Sequence, residues 1–98
     1  MLLIRGRKEL VITMKSSINK ALKYYKGTAE EMQLRFLLHM IREAADDGRL
    51  DVCIQVYKLS KLHMPTLRYE ILKPSGFKSE EFESNEIKGQ KMLLISWN

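Results

Sequence analysis

The stretch from residue 28 to residue 57 constrains the fold most strongly, because it holds in order a helix start, a helical face, a helix stop and a strand. Thr28 and Glu31 have the T-x-x-E spacing of a capping box. In that motif the threonine oxygen accepts a hydrogen bond from the amide three residues on, and the glutamate reaches back towards the cap. The spacing therefore predicts that a helix begins at Thr28.

The helix after this cap is apolar over a wide arc. Its apolar residues recur at helical spacing, and Phe36 and Met40 lie on a neighbouring flank. A wide arc is typical of a helix that is contacted on more than one side, so we expect this to be the central helix of the fold. Gly48 predicts its end. The residues on the main apolar face are Leu34, Leu37, Leu38, Ile41, Ala44 and Ala45.

From residue 51 to residue 57 the pattern changes to a period of two, which predicts a strand. The alternation places Cys53 on the face opposite the apolar residues, where we expect a small packed side chain. One face carries Val52, Ile54 and Val56, and the other carries Cys53, Gln55 and Tyr57.

The N-terminal part of the chain predicts a second amphipathic helix from about residue 8 to residue 26, ended by Gly27 as a left-handed cap. The first six residues, MLLIRG, fit either a short edge strand or a frayed arm. Basic side chains fall on the side of this helix opposite its apolar stripe. The stripe consists of Leu10, Val11, Met14, Ile18, Ala21, Leu22 and Tyr25.

After Pro65, the spacing of Leu67, Ile71 and Leu72 predicts a short helix, with Gly76 as its cap. Reading LRYEIL as an alternating strand is the competing interpretation. The helix is favoured, because the proline before it and the glycine after it stand where helix boundaries need them. Pro74 is expected to shorten or distort the last turn.

Two further strands, Phe77 to Glu83 and Lys91 to Trp97, are expected to form an antiparallel hairpin. The first is polar and acidic, which is typical of a solvated edge strand. The fold class is therefore α+β: two N-terminal helices, then β-α-β-β, giving a three-stranded sheet with helices packed on one face. We expect residues 1–98 to form a single domain, with a right-handed crossover if the first strand and the hairpin pair in parallel.

Composition restricts the class of protein. Cys53 is the only cysteine, so no internal disulfide can form, which is typical of a reducing compartment. The apolar runs near the N-terminus are three or four residues long, whereas an export signal needs about 7 to 15 and a membrane span about 20. The sequence therefore predicts a cytoplasmic protein without a membrane partner.

No catalytic, metal-binding or cofactor-binding constellation emerges from the residue pattern. His39 lies within the central helix, where we expect a satisfied, half-buried side chain, and His63 is expected to cap a turn or face solvent. Neither histidine has a partner at metal-ligand spacing. The expectation is a protein that is not an enzyme, with no cofactor.

The net charge of +5 is concentrated at one end of the chain. Residues 1–26 contain seven basic residues and one acidic residue, a net charge of +6, and the remaining residues sum to −1. A lysine face on a rigid helix could follow phosphates or contact an acidic protein, although it is also the usual solvated side of such a helix. The candidate nucleic-acid-binding or partner-binding residues are Arg5, Arg7, Lys8, Lys15, Lys20, Lys23 and Lys26.

The segments IREAADDGRLDVCIQV, GFKSEEFES and MLLISW together resemble the C-terminal unit of many small phage-encoded accessory proteins, which act in host takeover or anti-defence. In that group a helix ending near "EAA..G" leads into a strand, a short helix and a hairpin closing with "ISW". The resemblance covers about residues 40–98. Pro74 and the longer connection at 59–66 depart from the pattern. The resemblance implies a small α/β protein that is made early in infection and binds a host component, in the host cytoplasm if phage-encoded. It implies no catalytic residues.

The leading functional hypothesis is a small non-enzymatic protein, encoded by a phage or mobile element, that binds and modulates or inhibits a host macromolecule. A host protein is the expected partner, and a host defence or transcription factor would be a typical target. The alternative is a nucleic-acid-binding regulator that uses the basic N-terminal arm and helix. Self-association into a homo-oligomer is left open, since two helices with apolar arcs face only three strands.

Overall fold

The computed structural model describes residues 18–97 and shows a small α+β protein with a three-stranded antiparallel sheet. Residues 18–24 are helical and are named α1; the predicted start of this helix near residue 8 and the MLLIRG segment lie outside the described residues. The other elements are α2 (Ala29–Asp46), β1 (Asp51–Gln55), a 3-10 turn (Val56–Leu59), a π-helix (Thr66–Leu72), a second 3-10 turn (Lys73–Ser75), β2 (Lys78–Glu83) and β3 (Lys91–Ser96).

The turn between α1 and α2 confirms the predicted helix boundary. Gly27 has a φ of 80°, in the left-handed region that favours glycine. The Thr28 hydroxyl accepts from the Glu31 amide at 3.3 Å, while the Glu31 carboxylate accepts from the Gly27 amide at 3.0 Å. This bond from Gly27, aided by Arg35, lowers the pKa of the Glu31 carboxyl. The glutamate thus reaches back one residue further than in the standard capping box.

The structure confirms α2 as the central helix. All six residues of its predicted apolar face are buried, and Leu34 and Leu37 have no exposed surface. Phe36 and Met40 are partly buried against the same core, as their flanking position predicted. Ile18 connects α1 to this core, where it is also fully buried. α2 is therefore covered by neighbours over a wide arc.

The sheet has the strand order β1-β3-β2, and both pairs are antiparallel. The predicted hairpin of β2 and β3 is confirmed. The conditional right-handed crossover does not arise, because β1 pairs with β3 in antiparallel orientation. β2 lies at an edge and is almost wholly exposed, as its acidic sequence predicted. One sheet face is buried beneath the helices and carries Val52, Ile54, Leu93 and Ile95.

Two details near β1 differ from prediction. The strand ends at Gln55, and Val56 begins a 3-10 turn instead of continuing the alternation. Cys53 is exposed and not packed, because no helix among residues 18–97 covers the face to which it points. The alternation predicted which residues share a face, but whether the second face is covered depends on the tertiary arrangement.

The segment after Pro65 is helical, as favoured over the strand, but it takes an unpredicted form. Thr66–Leu72 is a π-helix, and the Lys73 amide accordingly bonds to the Arg68 carbonyl five residues earlier. Pro74 follows in a 3-10 turn, where its missing N–H breaks no hydrogen bond of the π-helix. Gly76, with a φ of 92°, ends the segment as predicted.

Candidate functional site

An open groove lies between α1 and the π-helix and has a volume of about 690 Å³. One wall comes from α1 and the turn after it, and the other comes from the π-helix and the 3-10 turn that follows. These two walls are more than 40 residues apart in the sequence, so the groove is a product of the tertiary fold. It is lined by Lys20, Ala21, Tyr24, Tyr25, Thr66, Glu70, Ile71 and Pro74.

Tyr24 is the most exposed large side chain of the groove, with 82% of its surface accessible. Its ring meets the Tyr25 ring edge-on, with centroids 5.0 Å apart and planes at 81°. Tyr25 is partly buried and packs against the core. The exposed ring is therefore held against an anchored one, an arrangement that favours aromatic contact and limits the entropy lost on binding.

The lysine face predicted for the first helix is present in its described part. Lys20, Lys23 and Lys26 are all exposed, and Lys20 also lines the groove. Within residues 18–97, neither Lys20 nor Lys23 forms an ion pair, whereas Lys26 lies close enough to Glu31 to help lower the pKa of that carboxyl. The other candidates, Arg5, Arg7, Lys8 and Lys15, lie outside the described residues.

The groove has opposite charges on its two walls. Lys20 stands on the α1 side, and Glu70 stands exposed on the π-helix side. Between them Ala21 and Ile71 supply apolar surface. The sequence pattern gave no sign of Glu70 as a site residue, because its proximity to α1 depends on how the π-helix packs.

A second, smaller depression of about 270 Å³ adjoins β2. Arg68 lines it, but its guanidinium is already engaged: it donates to the Ser79 carbonyl at 2.8 Å and to the Ser79 hydroxyl at 3.1 Å. It also pairs with Glu81 at 3.4 Å and lies over the Tyr69 ring, 5.0 Å from its centroid. Arg68 therefore ties the π-helix to the edge strand and is not available for a ligand.

The two histidines are both exposed and bonded locally. His39 was predicted to be half-buried, but its side chain is 66% exposed and pairs with Glu43 at 3.1 Å across one helical turn. The core side of α2 is occupied by leucines and alanines, so His39 falls on the solvent side. His63 caps its turn as predicted, with Nδ1 at 2.8 Å from the Thr66 hydroxyl.

Although Cys53 is exposed, the neighbouring atoms desolvate part of its thiol, and this desolvation together with the nearby charge of Asp51 raises the pKa of the thiol. The reactive thiolate form is therefore disfavoured at neutral pH. In the part of the chain that the structure describes, no three histidine, cysteine or acidic side chains gather in a way that could hold a metal ion. Among residues 18–97, no helix has the length and apolar character needed to cross a membrane.

Comparison of the chain with models of protein families, with curated proteins and with solved structures gave no significant match. The geometry and charge of the groove between α1 and the π-helix are therefore the observations from which a function can be proposed.

Proposed function

We propose that this chain is a small non-enzymatic binding protein, encoded by a phage or mobile element, that binds a host protein in the cytoplasm and modulates or inhibits it. The observation that carries the proposal is the groove between α1 and the π-helix, where the exposed Tyr24 ring and Lys20 line one wall. Lys23 is exposed on the same helix, and neither lysine forms an ion pair within residues 18–97. The origin from a phage is supported by the sequence resemblance over residues 40–98.

The chemistry of the groove favours an acidic protein segment with an apolar anchor residue. Tyr24, Ala21 and Ile71 offer the apolar surface against which an anchor side chain can pack. Tyrosine is enriched among the residues that dominate binding energy at protein interfaces. The lysines along α1 attract carboxylates and orient the segment, which gives specificity and a faster association rate.

The positions of the two histidines and the cysteine favour a role in binding over one in catalysis. His39, His63 and Cys53 lie on α2, on the loop before the π-helix and on β1 respectively, and none of them lines the groove. General acid-base or nucleophilic catalysis needs such groups within hydrogen-bonding distance of one another and of a substrate.

The test is affinity capture from a bacterial lysate with three forms of the immobilised chain: the wild type, Lys20→Glu/Tyr24→Ala in the groove, and Lys58→Glu/Tyr57→Ala as a matched control. The control makes the same two kinds of substitution at exposed positions on the 3-10 turn after β1. We expect one stoichiometric protein partner with the wild type and the control. A central tyrosine contributes about 2 kcal/mol or more, so the groove variant should retain less than about a tenth of the partner.

Two results would overturn the proposal. The first is that the wild type retains no stoichiometric protein. The second is that the groove variant and the control retain the partner equally while circular dichroism shows both to be folded.

One observation favours nucleic acid as a second candidate partner. Tyr24, Lys20 and Lys23 are all exposed on α1, and single-stranded bases stack on exposed aromatic rings within a positively charged surface. If nucleic acid is the partner, the chain should bind a labelled single-stranded oligonucleotide, and this binding should weaken steeply between about 50 and 200 mM salt. Fluorescence anisotropy at the two salt concentrations distinguishes it from protein binding.

A further inference from the structure

The sheet face opposite α2, called here the open face, exposes apolar surface along its centre. β3 is the central strand, yet Met92 and Leu94, which point to this face, are only half-buried. Cys53 on one side of them and Phe82 on the other are exposed, and Phe82 has 42% of its surface accessible. The strip is small and lies between polar side chains, and exposed apolar surface rimmed by polar residues is found at protein contact sites.

The strand register arranges the open face in three rows that run across the sheet. Asp51, Ser96 and Lys78 form the first row. Cys53, Leu94 and Glu80 form the second, and Gln55, Met92 and Phe82 form the third. The first row therefore carries a negative charge on the β1 side and a positive charge on the β2 side, separated by two strand spacings, about 10 Å.

We propose that the chain forms a two-fold symmetric dimer in which the open faces of two copies pack together, with the symmetry axis parallel to the strands. This rotation exchanges the β1 side and the β2 side while keeping each row in place. Asp51 then faces Lys78 of the second copy, and Lys78 faces the second Asp51. Along the axis, Leu94 packs on Leu94 and Met92 on Met92.

A two-fold axis between the packed sheets can run either parallel or perpendicular to the strands. The charges on the open face favour the parallel axis. An axis perpendicular to the strands and centred on Leu94 would place Glu80 opposite Glu80 of the second copy, and like charges directly opposed are destabilising. With the axis parallel to the strands, Glu80 faces Cys53, whose thiol is uncharged at neutral pH because its pKa is raised. No like charges are then opposed, and two ion pairs form.

Asp51 is available for a partner. Its one ion pair within residues 18–97 is to Arg49 at 3.8 Å, and both side chains are more than half exposed. A contact this long and this exposed contributes little to stability. Aligned sheets pack about 10 Å apart and cross at about 30°. The long Lys78 side chain can span the sideways shift that this angle produces at the first row.

The size of the open face predicts a weak dimer. Three strands about 4.8 Å apart and six residues at about 3.3 Å each give a footprint of roughly 14 by 20 Å. That is well below the roughly 800 Å² per partner of a stable interface. We therefore expect the dimer to dissociate more readily than the micromolar limit of standard-size interfaces. The groove between α1 and the π-helix lies on the opposite side of the sheet, so the dimer is independent of the proposed function.

A charge-exchange experiment tests the dimer and its axis together. Sedimentation velocity from about 5 to 300 µM compares the wild type with Asp51→Lys, Lys78→Asp and the double variant that carries both substitutions. In each single variant, residues 51 and 78 carry charges of the same sign and face each other at two places in the dimer. We therefore expect the dissociation constant of each single variant to rise about tenfold or more. The double variant restores both ion pairs in reversed order and should dimerise within about threefold of the wild type.

The control is Glu43→Lys, which makes a charge change of the same size as Asp51→Lys on the exposed side of α2. It should leave the dissociation constant unchanged within about twofold. A wild-type chain that stays monomeric at 300 µM would overturn the proposal. So would a dimer that is indifferent to the single substitutions, or one that the double variant fails to restore.

Discussion

Replacing Leu37 with alanine is expected to lower the free energy of unfolding by about 2 to 5 kcal/mol. Leu37 has no exposed surface and lies midway along α2, among residues from the sheet and the other helices. Its truncation removes apolar contacts and leaves a cavity that a small, close-packed core cannot fill without strain. The chain has one core, so the loss is a large fraction of the total stability. Urea unfolding followed by far-UV circular dichroism measures it.

The matched control is Met32→Ala on the same helix. The Met32 side chain is 74% exposed, and alanine has the higher helix propensity, so this substitution should change stability by less than about 0.5 kcal/mol. If Leu37→Ala and Met32→Ala had similar effects, α2 would not be the centre of the core.

Trp97→Ala is expected to cost about 3 to 5 kcal/mol, although the residue lies one position from the C-terminus. Trp97 is 6% exposed and meets the Phe77 ring edge-on, with centroids 6.0 Å apart. Its backbone amide donates to the Leu50 carbonyl at 3.1 Å, which continues the pairing of β1 with β3 by one residue. The ring therefore closes the end of the core where the central strand stops. Thermal and urea unfolding by circular dichroism measure the loss.

Trp97→Phe separates packing from hydrogen bonding at the same position. The indole Nε1 is buried and has no hydrogen-bond partner among residues 18–97, so removing this donor relieves an unpaired polar group. We expect Trp97→Phe to lose less than half of what Trp97→Ala loses. A phenylalanine variant as unstable as the alanine variant would show that the indole contributes more than apolar packing.

The features that the sequence predicted correctly are those set by neighbouring residues. The capping residues Thr28 and Glu31 marked the start of α2, and Gly48, with a φ of 81°, marked the turn that ends it. The periodicity of three to four residues identified the buried face of α2, since a helix presents such residues on one side whatever its neighbours are. Period-two alternation likewise placed the strands.

The features that the sequence did not predict depend on distant contacts. Which strands pair is decided by the whole sheet, so the order β1-β3-β2 could not be read from any one strand. The exposure of Cys53 follows from that order and from the packing of the described helices on the other face of the sheet. The π-helix at Thr66–Leu72 has the same apolar spacing as an ordinary helix end, and the spacing alone does not distinguish the two forms.

The candidate site likewise contains some features that the sequence predicted and others that it did not. The basic side of α1 could be predicted from lysine spacing, and Lys20, Lys23 and Lys26 are exposed in the structure. Tyr24 is an aromatic residue near the edge of the polar side of this helix. Its role as the exposed wall of a groove depends on the π-helix, which begins more than 40 residues later. Glu70 carried no signal in the sequence at all.

Hydrogen–deuterium exchange of the chain, alone and in complex with the captured partner, tests most directly whether the groove between α1 and the π-helix is the binding surface. We expect slower exchange on binding in residues 18–26 and 64–75, which form the two walls, and unchanged exchange at the exposed side of α2. Protection confined to α2 or to the sheet, with both walls of the groove unaffected, would contradict the proposal.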